Sequence, residues 1–291
     1  MRVLVTGAKG MLGSEVVKTL EMYGHEVWGT DISYADDKID ITRQDQIRYA
    51  LSSFRPSWVL NCAAYTNVDL AEEHEDQALV LNAKGPDLLA HACRRLSIRL
   101  MHVSTDYVFD GAKGSPYTEE DAPNPINVYG ASKLAGENAI RHAMEDYIIV
   151  RTQWLIGHKG RNFVSTILSA AQINESLRVV NDQWGSPTFA SDLARAMAQL
   201  LEADARGVYH VCNRGKATWF DLAKKAIEIV GLGTKVIPVS TDEFPRPAKR
   251  PQYSILSTKK FSEKTGKLMP LWQTSLENYI HEYLQHVKGS A

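Results

Sequence analysis

A glycine-rich turn near the N-terminus constrains the fold most strongly, because it directly follows a short apolar run. Residues 2–6 are rich in β-branched side chains and pass at once into Gly7-Ala8-Lys9-Gly10-Met11-Leu12-Gly13. This order predicts a strand, a tight turn and a helix whose free N–H groups lie at the turn. Glycines at this spacing suit a tight turn, a close backbone approach to a pyrophosphate, and close packing of the helix on the strand. The segment therefore predicts a Rossmann-type α/β fold with a doubly wound parallel sheet.

A carboxylate follows where such a fold places an acid on the adenosine ribose. The second apolar run ends at Asp31, roughly 20 residues beyond the glycine turn. Asp31 is expected to bind a ribose 2′-hydroxyl and to repel a 2′-phosphate, which favours NADH. Lys9 and Ser33 could still accommodate NADPH, so the sequence leaves the preference open.

Composition narrows the class of protein. The chain has 291 residues and a net charge of −1, which gives no field that would attract nucleic acid or an anionic membrane. We see no apolar stretch of transmembrane length and no signal-peptide pattern, and we therefore expect a cytoplasmic protein. Cys62, Cys93 and Cys212 are scattered without metal-ligand spacing, which indicates reduced core thiols.

Strand-like and helix-like runs alternate through the first half of the chain, and the order is less regular beyond it. We predict a Rossmann domain from residues 1–150 and about 188–213. A smaller α/β substrate-binding domain would comprise residues 151–187 and 214–291. The individual strand predictions are 58–61, 100–104, 147–151, 177–180 and 208–211. The helix predictions are 68–81, 86–96, 162–172, 191–201 with Ser191 as N-cap, and a helix from a Thr218/Asp221 capping box to Val230. Residues 238–251 are rich in proline and form a candidate substrate loop.

Tyr129 and Lys133 are four residues apart, so on a helix they project from the same face. An ammonium beside a phenol lowers the pKa of the phenol and suits it to exchange a proton with substrate. Thr105 lies in the loop after the predicted fourth strand and could share a substrate carbonyl with Tyr129. Alternatives from the residues alone are a solvated helix face for the pair and a turn-capping role for Thr105.

These motifs resemble the extended short-chain dehydrogenase/reductase superfamily, through residues 7–13, Ser104-Thr105-Asp106-Tyr107-Val108-Phe109 and Tyr129-x-x-x-Lys133. Four further segments resemble the dTDP-4-dehydrorhamnose reductases, namely residues 61–69, 127–130, 181–188 and 246–251. The similarity runs through essentially the whole chain. It implies reduction of the 4-keto group of dTDP-4-dehydro-L-rhamnose with NADPH or NADH, in dTDP-L-rhamnose biosynthesis for bacterial surface polysaccharide.

The resemblance also implies roles for individual residues. Tyr129 would protonate the C4 alkoxide, Lys133 would hold the nicotinamide ribose and lower the pKa of Tyr129, and Thr105 would bind the carbonyl oxygen. The cofactor-binding prediction comprises Gly7, Lys9, Gly10, Met11, Leu12, Gly13, Asp31, Asp40, Ile41, Ala63, Ala64, Tyr65, Tyr129 and Lys133. The substrate-binding prediction comprises Thr105, Asp106, Val108, Trp154, Trp184, Arg246 and Arg250. Core packing is the alternative for the two tryptophans, and a solvated charge run is the alternative for the arginines.

Some family members hold magnesium at a dimer interface through carboxylates. Glu15 matches one of these, but residues 188–191 contain no acid for the second, so we assign no metal. A homodimer is left open, and base specificity rests on the resemblance alone. Two other functions also stay open: a nucleotide-sugar epimerase or dehydratase that retains NAD, and a non-catalytic regulatory subunit that resembles the family.

Overall fold

The computed structural model describes residues 1–36 and 38–289, so the last two residues of the predicted second domain lie outside it. The strands are β1 (Arg2–Thr6), β2 (Glu26–Thr30), β3 (Trp58–Asn61), β4 (Arg99–Thr105), β5 (Tyr147–Thr152), β6 (Leu155–Ile156), β7 (Ser176–Val180), β8 (Trp184–Gly185), β9 (Thr188–Phe189), β10 (Gly207–His210), β11 (Ala217–Thr218) and β12 (Lys235–Val239). The helices are α1 (Met11–Met22), α2 (Gln44–Phe54), α3 (Val68–Glu73), α4 (Glu75–Leu79), α5 (Gly85–Arg95), α6 (Val128–Ala143), α7 (Phe163–Ala171), α8 (Ala190–Glu202), α9 (Trp219–Val230), α10 (Lys259–Thr265) and α11 (Trp272–Gly289).

Six of these strands form one parallel sheet in the order β10-β5-β4-β3-β1-β2. The chain continues from β1 to β2 on one side and then crosses to β3 on the other. The order therefore reverses between β1 and β3, and such a reversal opens a crevice at the carboxyl ends of the strands. The prediction of a Rossmann-type doubly wound parallel sheet is confirmed.

Alternation along the strands explains how both faces of the sheet are covered. Val3 and Val5 of β1 belong to a core cluster with α1 and α8, whereas Leu4 between them belongs to a cluster with α2, α5 and α6. Successive side chains of a strand point to opposite faces, so a run of apolar residues requires helices on both sides. A third cluster joins α7, α9 and α11 around Leu222 and Leu276. The division into two domains stays a prediction.

The predicted helix 68–81 is wrong, because the chain bends at His74 between α3 and α4. A π-helical turn, Val80–Lys84, then joins α4 to α5. This turn buries Asn82, whose side-chain amide donates to the Tyr65 carbonyl at 3.0 Å and whose oxygen accepts from the Tyr65 N–H at 2.8 Å. The irregular turn thereby anchors the loop after β3.

Two smaller predictions need correction and one is confirmed. Helix α8 begins at Ala190 after the N-cap Phe189, so Ser191 lies inside the first turn and is not the cap. Strand β12 includes Pro238, so the irregular stretch is shorter than predicted; a proline is tolerated in a strand that has a single partner, here β7. The capping box of Thr218 and Asp221 is present at the start of α9.

Within the described part of the chain, we find no helix of the length and apolar character that a bilayer span requires.

Candidate active site

A cavity of about 580 Å³ lies at the carboxyl ends of β1, β3 and β4, at the reversal of strand order. Its walls combine the glycine turn with residues from both halves of the chain. They are formed by Gly7, Gly10, Met11, Leu12, Gly13, Asp31, Ile32, Ile39, Asp40, Ile41, Cys62, Ala63, Ala64, Thr66, Val68, Leu81, Val103, Ser104, Thr105, Asp106, Tyr107, Tyr129, Lys133, Thr152, Gln153, Trp154, Leu155, Arg161 and Trp219.

The glycine turn brings the start of α1 close to β1. A Cβ on Gly13 would lie 2.1 Å from the Gly7 carbonyl oxygen, so this packing requires glycine. The N-cap residue of α1 is Gly10, which has no side chain to cap the helix, and the first turn of α1 carries no acidic residue. Helix N-termini offer unpaired N–H groups and a positive dipole end. The turn therefore fits the pyrophosphate of a dinucleotide.

Asp31, at the end of β2, holds the neighbouring loops together. Its carboxylate accepts from the Lys9 N–H at 3.0 Å and from the Ser33 N–H and hydroxyl at 2.9 and 2.7 Å. Burial opposes ionisation, but the hydrogen bonds from Ser33 and Lys9 outweigh it and keep the pKa of Asp31 below its usual value. The Lys9 ammonium donates to the Ser33 carbonyl at 2.9 Å. Asp31 thus presents an ionised acid to the cavity.

Close packing of α6 on the turn after β4 brings Tyr129 to Thr105. A Cβ on Gly130 would lie 2.0 Å from the Tyr107 carbonyl oxygen, so glycine is needed for this approach. The N-cap Asn127 accepts from the Gly130 N–H at 2.7 Å and fixes the start of the helix. Thr105, Tyr129 and Lys133 then all line the cavity, as the sequence suggests. Thr105 also caps its own turn by accepting from the Tyr107 N–H at 3.1 Å.

The predicted net lowering of the pKa of Tyr129 is wrong, because the influence of Lys133 does not outweigh burial. Burial, together with the nearby Asp106 carboxylate, raises the pKa of Tyr129 to about 12 despite a hydrogen bond with Thr105. The Lys133 ammonium instead donates to the Val103 carbonyl at 2.7 Å. Tyr129 is consequently a neutral phenol at physiological pH, which can donate a proton.

Lys133 and Asp106 are both buried, and burial shifts each towards its neutral form. Burial lowers the pKa of Lys133 to about 8, although Glu137 and Cys62 act in the opposite direction. Burial raises the pKa of Asp106 to about 7, although hydrogen bonds from Ser254 and Thr105 favour its ionised form. The Ser254 hydroxyl donates to Asp106 at 2.5 Å. Both groups can change charge near neutral pH.

A buried ion pair ties α6 to the sheet. The Arg151 guanidinium on β5 donates to both oxygens of Glu137, at 2.9 and 2.6 Å. The Ser104 hydroxyl, next to Thr105 on β4, donates to the same carboxylate at 2.6 Å. Glu137 lies one turn beyond Lys133, so this network fixes the helix that carries Tyr129 against the strand that carries Thr105.

The opposite wall of the cavity contains two stacked indoles. Trp154 and Trp219 are parallel within 9°, with ring centroids 3.6 Å apart. Trp154 follows β5 in a left-handed backbone conformation with φ of 45°. The sequence predicted Trp154 but missed Trp219 and Arg161. The Thr218 cap placed Trp219 at the start of a helix, but no local pattern showed which cavity it would face.

Several predicted residues lie outside the cavity wall. Val108 is fully buried in a separate apolar cluster, and the Trp184 backbone donates to the Gln252 carbonyl and accepts from the Ser254 N–H. Arg250 forms an ion pair with Asp69, and the Arg246 guanidinium lies 3.6 Å from the same carboxylate. Lys9 and Tyr65 lie beside the wall and hold its loops. The other predicted cofactor and substrate residues line it.

We find no group of three or more His, Cys, Asp or Glu side chains that could hold a metal ion in the part of the chain that the structure describes.

Comparison with known proteins gives the family. The model for the RmlD substrate binding domain matches residues 1–285. The chain belongs to the RmlD family. An RmlD relative named dTDP-4-dehydrorhamnose reductase, from Burkholderia thailandensis, is 35% identical over 98% of this chain and 99% of its own length. This agrees with the resemblance seen in the sequence motifs.

Another RmlD relative carries the name of a different sugar. The dTDP-4-keto-6-deoxy-D-glucose reductase of Streptomyces niveus is 40% identical over 94% of this chain and 95% of its own length. Among solved structures, the dTDP-4-dehydrorhamnose reductase of Bacillus anthracis in complex with NADP is 39% identical, with a TM-score of 0.92 over 97% of this chain and 99% of that one. The solved relative therefore shares this fold, and the two relatives found by sequence differ in the sugar of their names.

Proposed function

We propose that this chain reduces the 4-keto group of a dTDP-4-dehydro sugar, dTDP-4-dehydro-L-rhamnose in the first place, with NADPH or NADH. The observation that carries the proposal is the shared cavity of Tyr129, Thr105 and an uncapped, glycine-flanked helix N-terminus. A proton donor and a dinucleotide-binding turn in one cavity are what a ketone reduction requires. A cytoplasmic location is a further expectation from the sequence, which leaves the oligomeric state open.

The chain would position, polarise and protonate the ketone. The reduced nicotinamide supplies the hydride when it is bound. Tyr129 holds a proton at its hydroxyl, and Thr105 supplies a second hydroxyl beside it for the developing alkoxide. Lys133 in its ammonium form stabilises the negative charge that Tyr129 acquires on giving up its proton. Gly7, Gly10 and Gly13 with the start of α1 would hold the pyrophosphate, and Asp31 the ribose.

The test is stoichiometric loss of NAD(P)H absorbance on addition of dTDP-4-dehydro-L-rhamnose, with one reduced sugar formed for each NAD(P)H consumed. Parallel assays with dTDP-4-keto-6-deoxy-D-glucose measure which of the two keto sugars the chain reduces more efficiently. An epimerase or dehydratase would convert the sugar without net oxidation of NAD(P)H. A regulatory subunit would convert neither substrate. Conversion without loss of NAD(P)H, or no conversion at all, would reject the proposal.

Asp31→Ala should shift the ratio of catalytic efficiencies towards NADPH. The carboxylate repels a 2′-phosphate, and its removal also takes away a hydrogen bond to the ribose of NADH. We expect the ratio of kcat/KM for NADPH to that for NADH to rise by roughly tenfold, the effect of about 1.4 kcal/mol. Steady-state kinetics with each cofactor measure it. Because Asp31 also holds the Ser33 loop, Asp31→Asn is the control that keeps its shape.

An unchanged ratio in both Asp31 variants would mean that Asp31 serves the loop alone and does not face the ribose.

Activity should fall as pH rises through about 8, where Lys133 loses its charge. A lowered lysine pKa means that the ammonium is present below this pH and is lost above it, and the reduction needs that charge. The pH profile of kcat/KM between pH 6 and 10 measures the fall. Asp106 titrates near pH 7 in the same cavity, so Asp106→Asn separates the two groups. A fall that disappears in Asp106→Asn would assign it to Asp106.

Arg161 and the loop arginines are the candidates for the substrate diphosphate. Arg161 is exposed on the cavity wall, whereas Arg250 is held by Asp69 and by the Ala248 carbonyl. A charge-assisted hydrogen bond contributes roughly 1.5–3 kcal/mol, so Arg161→Ala should raise the KM for the sugar nucleotide by about one to two orders of magnitude. Arg250→Ala should raise it less. A larger rise in KM for Arg250→Ala than for Arg161→Ala would assign the diphosphate contact to the proline-rich loop.

A further inference from the structure

A line of four buried side chains runs from β1 to Lys133. It passes through Thr6, Asn61, His102 and Lys133, each at most 2% exposed. The Thr6 hydroxyl is 2.7 Å from the Asn61 oxygen, the Asn61 amide nitrogen is 3.0 Å from His102 Nδ1, and His102 Nε2 is 3.3 Å from Lys133 Nζ. Except for Lys133 at its end, the proposed reduction does not use this line.

The orientation of the Asn61 amide follows from its surroundings. Its oxygen accepts from the Ala63 backbone N–H at 3.1 Å, and a backbone N–H can only donate. The amide nitrogen must therefore face His102, and an amide nitrogen can also only donate. His102 Nδ1 is consequently an acceptor and carries no proton.

The proton of His102 then lies on Nε2. Burial, together with the charge of Lys133, holds the pKa of His102 well below its usual value, so the ring is neutral and carries one proton. That N–H points at Lys133 Nζ, which itself donates to the Val103 carbonyl at 2.7 Å. A neutral amine can accept the His102 N–H, whereas an ammonium would oppose it with a second donor.

We propose that His102 is a positioning residue that stabilises the amine form of Lys133 and so sets the pH at which the lysine loses its charge. The inference rests on the proposed reductase function, in which that charge is required. The other titratable groups around Lys133 are Glu137 and Tyr129 on α6, Cys62 after β3 and Asp106 after β4. Glu137 and Cys62 favour the ammonium, and Glu137 is already bound to Arg151 and Ser104. His102 acts in the opposite direction to Glu137 and Cys62, because it directs an N–H donor at Nζ.

The first test measures the tautomer directly and needs no substrate. Histidine side-chain ¹⁵N NMR of the full chain, with the signal assigned by its loss in His102→Leu, should show a neutral ring protonated at Nε2 between pH 6 and 9. A ring protonated at Nδ1, or a charged ring, would overturn the proposal. Because the readout is independent of turnover, it stands even if the proposed reaction is not observed.

The second test is the pH profile of kcat/KM. Loss of one hydrogen bond to the amine should move the alkaline fall in His102→Leu upwards by roughly half to one pH unit. His210→Leu is the matched control, because His210 is equally buried and contacts Arg151 and the Tyr117 carbonyl instead of Lys133. Its profile should keep the wild-type position. An unmoved fall in His102→Leu, or equal shifts in both variants, would reduce His102 to a packing residue.

Discussion

Tyr129→Phe is expected to lower kcat by roughly 10²–10⁴-fold, the usual contribution of a general acid. The change removes one hydroxyl and preserves the ring, so the aromatic contact with Tyr107, at a centroid distance of 5.9 Å, is retained. The proton in question lies on a phenol whose pKa is raised to about 12. Such a group is protonated throughout the working pH range and donates only when the alkoxide forms. Single-turnover measurement of NAD(P)H oxidation would report the chemical step.

Tyr107→Phe is the matched control. Tyr107 is in the same cavity, but its hydroxyl is hydrogen-bonded to Arg250. We expect this variant to retain turnover within about tenfold of the unaltered protein, since no proton transfer depends on it. Comparable losses in both tyrosine variants would point to a general disturbance of the cavity, and near-normal turnover in Tyr129→Phe would assign the proton to another donor.

Arg151→Met should destabilise the protein by roughly 3–5 kcal/mol, because it leaves the Glu137 carboxylate buried without its main partner. Both side chains of this ion pair are at most 1% exposed. Urea unfolding followed by circular dichroism would measure the loss. The kinetic effect should exceed what the unfolded fraction explains, since the pair also fixes the helix of Tyr129 relative to Thr105.

The double variant Glu137→Met/Arg151→Met separates the two contributions. Removing both charges together avoids the uncompensated buried carboxylate, so most of the stability should return. Activity should remain reduced, because the hydrogen bond from Ser104 to Glu137 is also lost. A single variant as stable as the unaltered chain would show that Arg141, 3.3 Å from Glu137, suffices as its partner.

Local patterns predicted much of the fold and the central site residues. The run 2–6 followed by glycines specified a strand, a turn and a helix, and alternating elements specified a parallel sheet. An open parallel sheet binds its ligand at the carboxyl ends of its strands, which is why Thr105, at the end of β4, could be expected to contact the same substrate as Tyr129. The short motifs that carried these predictions lie within single elements or single turns.

What the sequence missed depends on contacts between distant segments. The pKa of Tyr129 depends on burial and on Asp106, and Asp106 is in turn bound by Ser254, which lies far along the chain. Helical periodicity continued past His74, so the bend and the π-helical turn that buries Asn82 left no visible pattern. Trp219 and Arg161 reach the cavity from segments that could not be oriented before the fold was known.

The two sides of the cavity have separate origins in the chain. The glycine turn, Asp31, Thr105, Tyr129 and Lys133 come from the first half, whereas Trp154, Arg161 and Trp219 come from the second. Changes confined to Trp154, Arg161 and Trp219 would alter this side of the cavity and leave the proton donor and the glycine turn in place. In evolutionary terms, substitutions at these three positions after gene duplication offer a route to a reshaped cavity with an inherited proton donor.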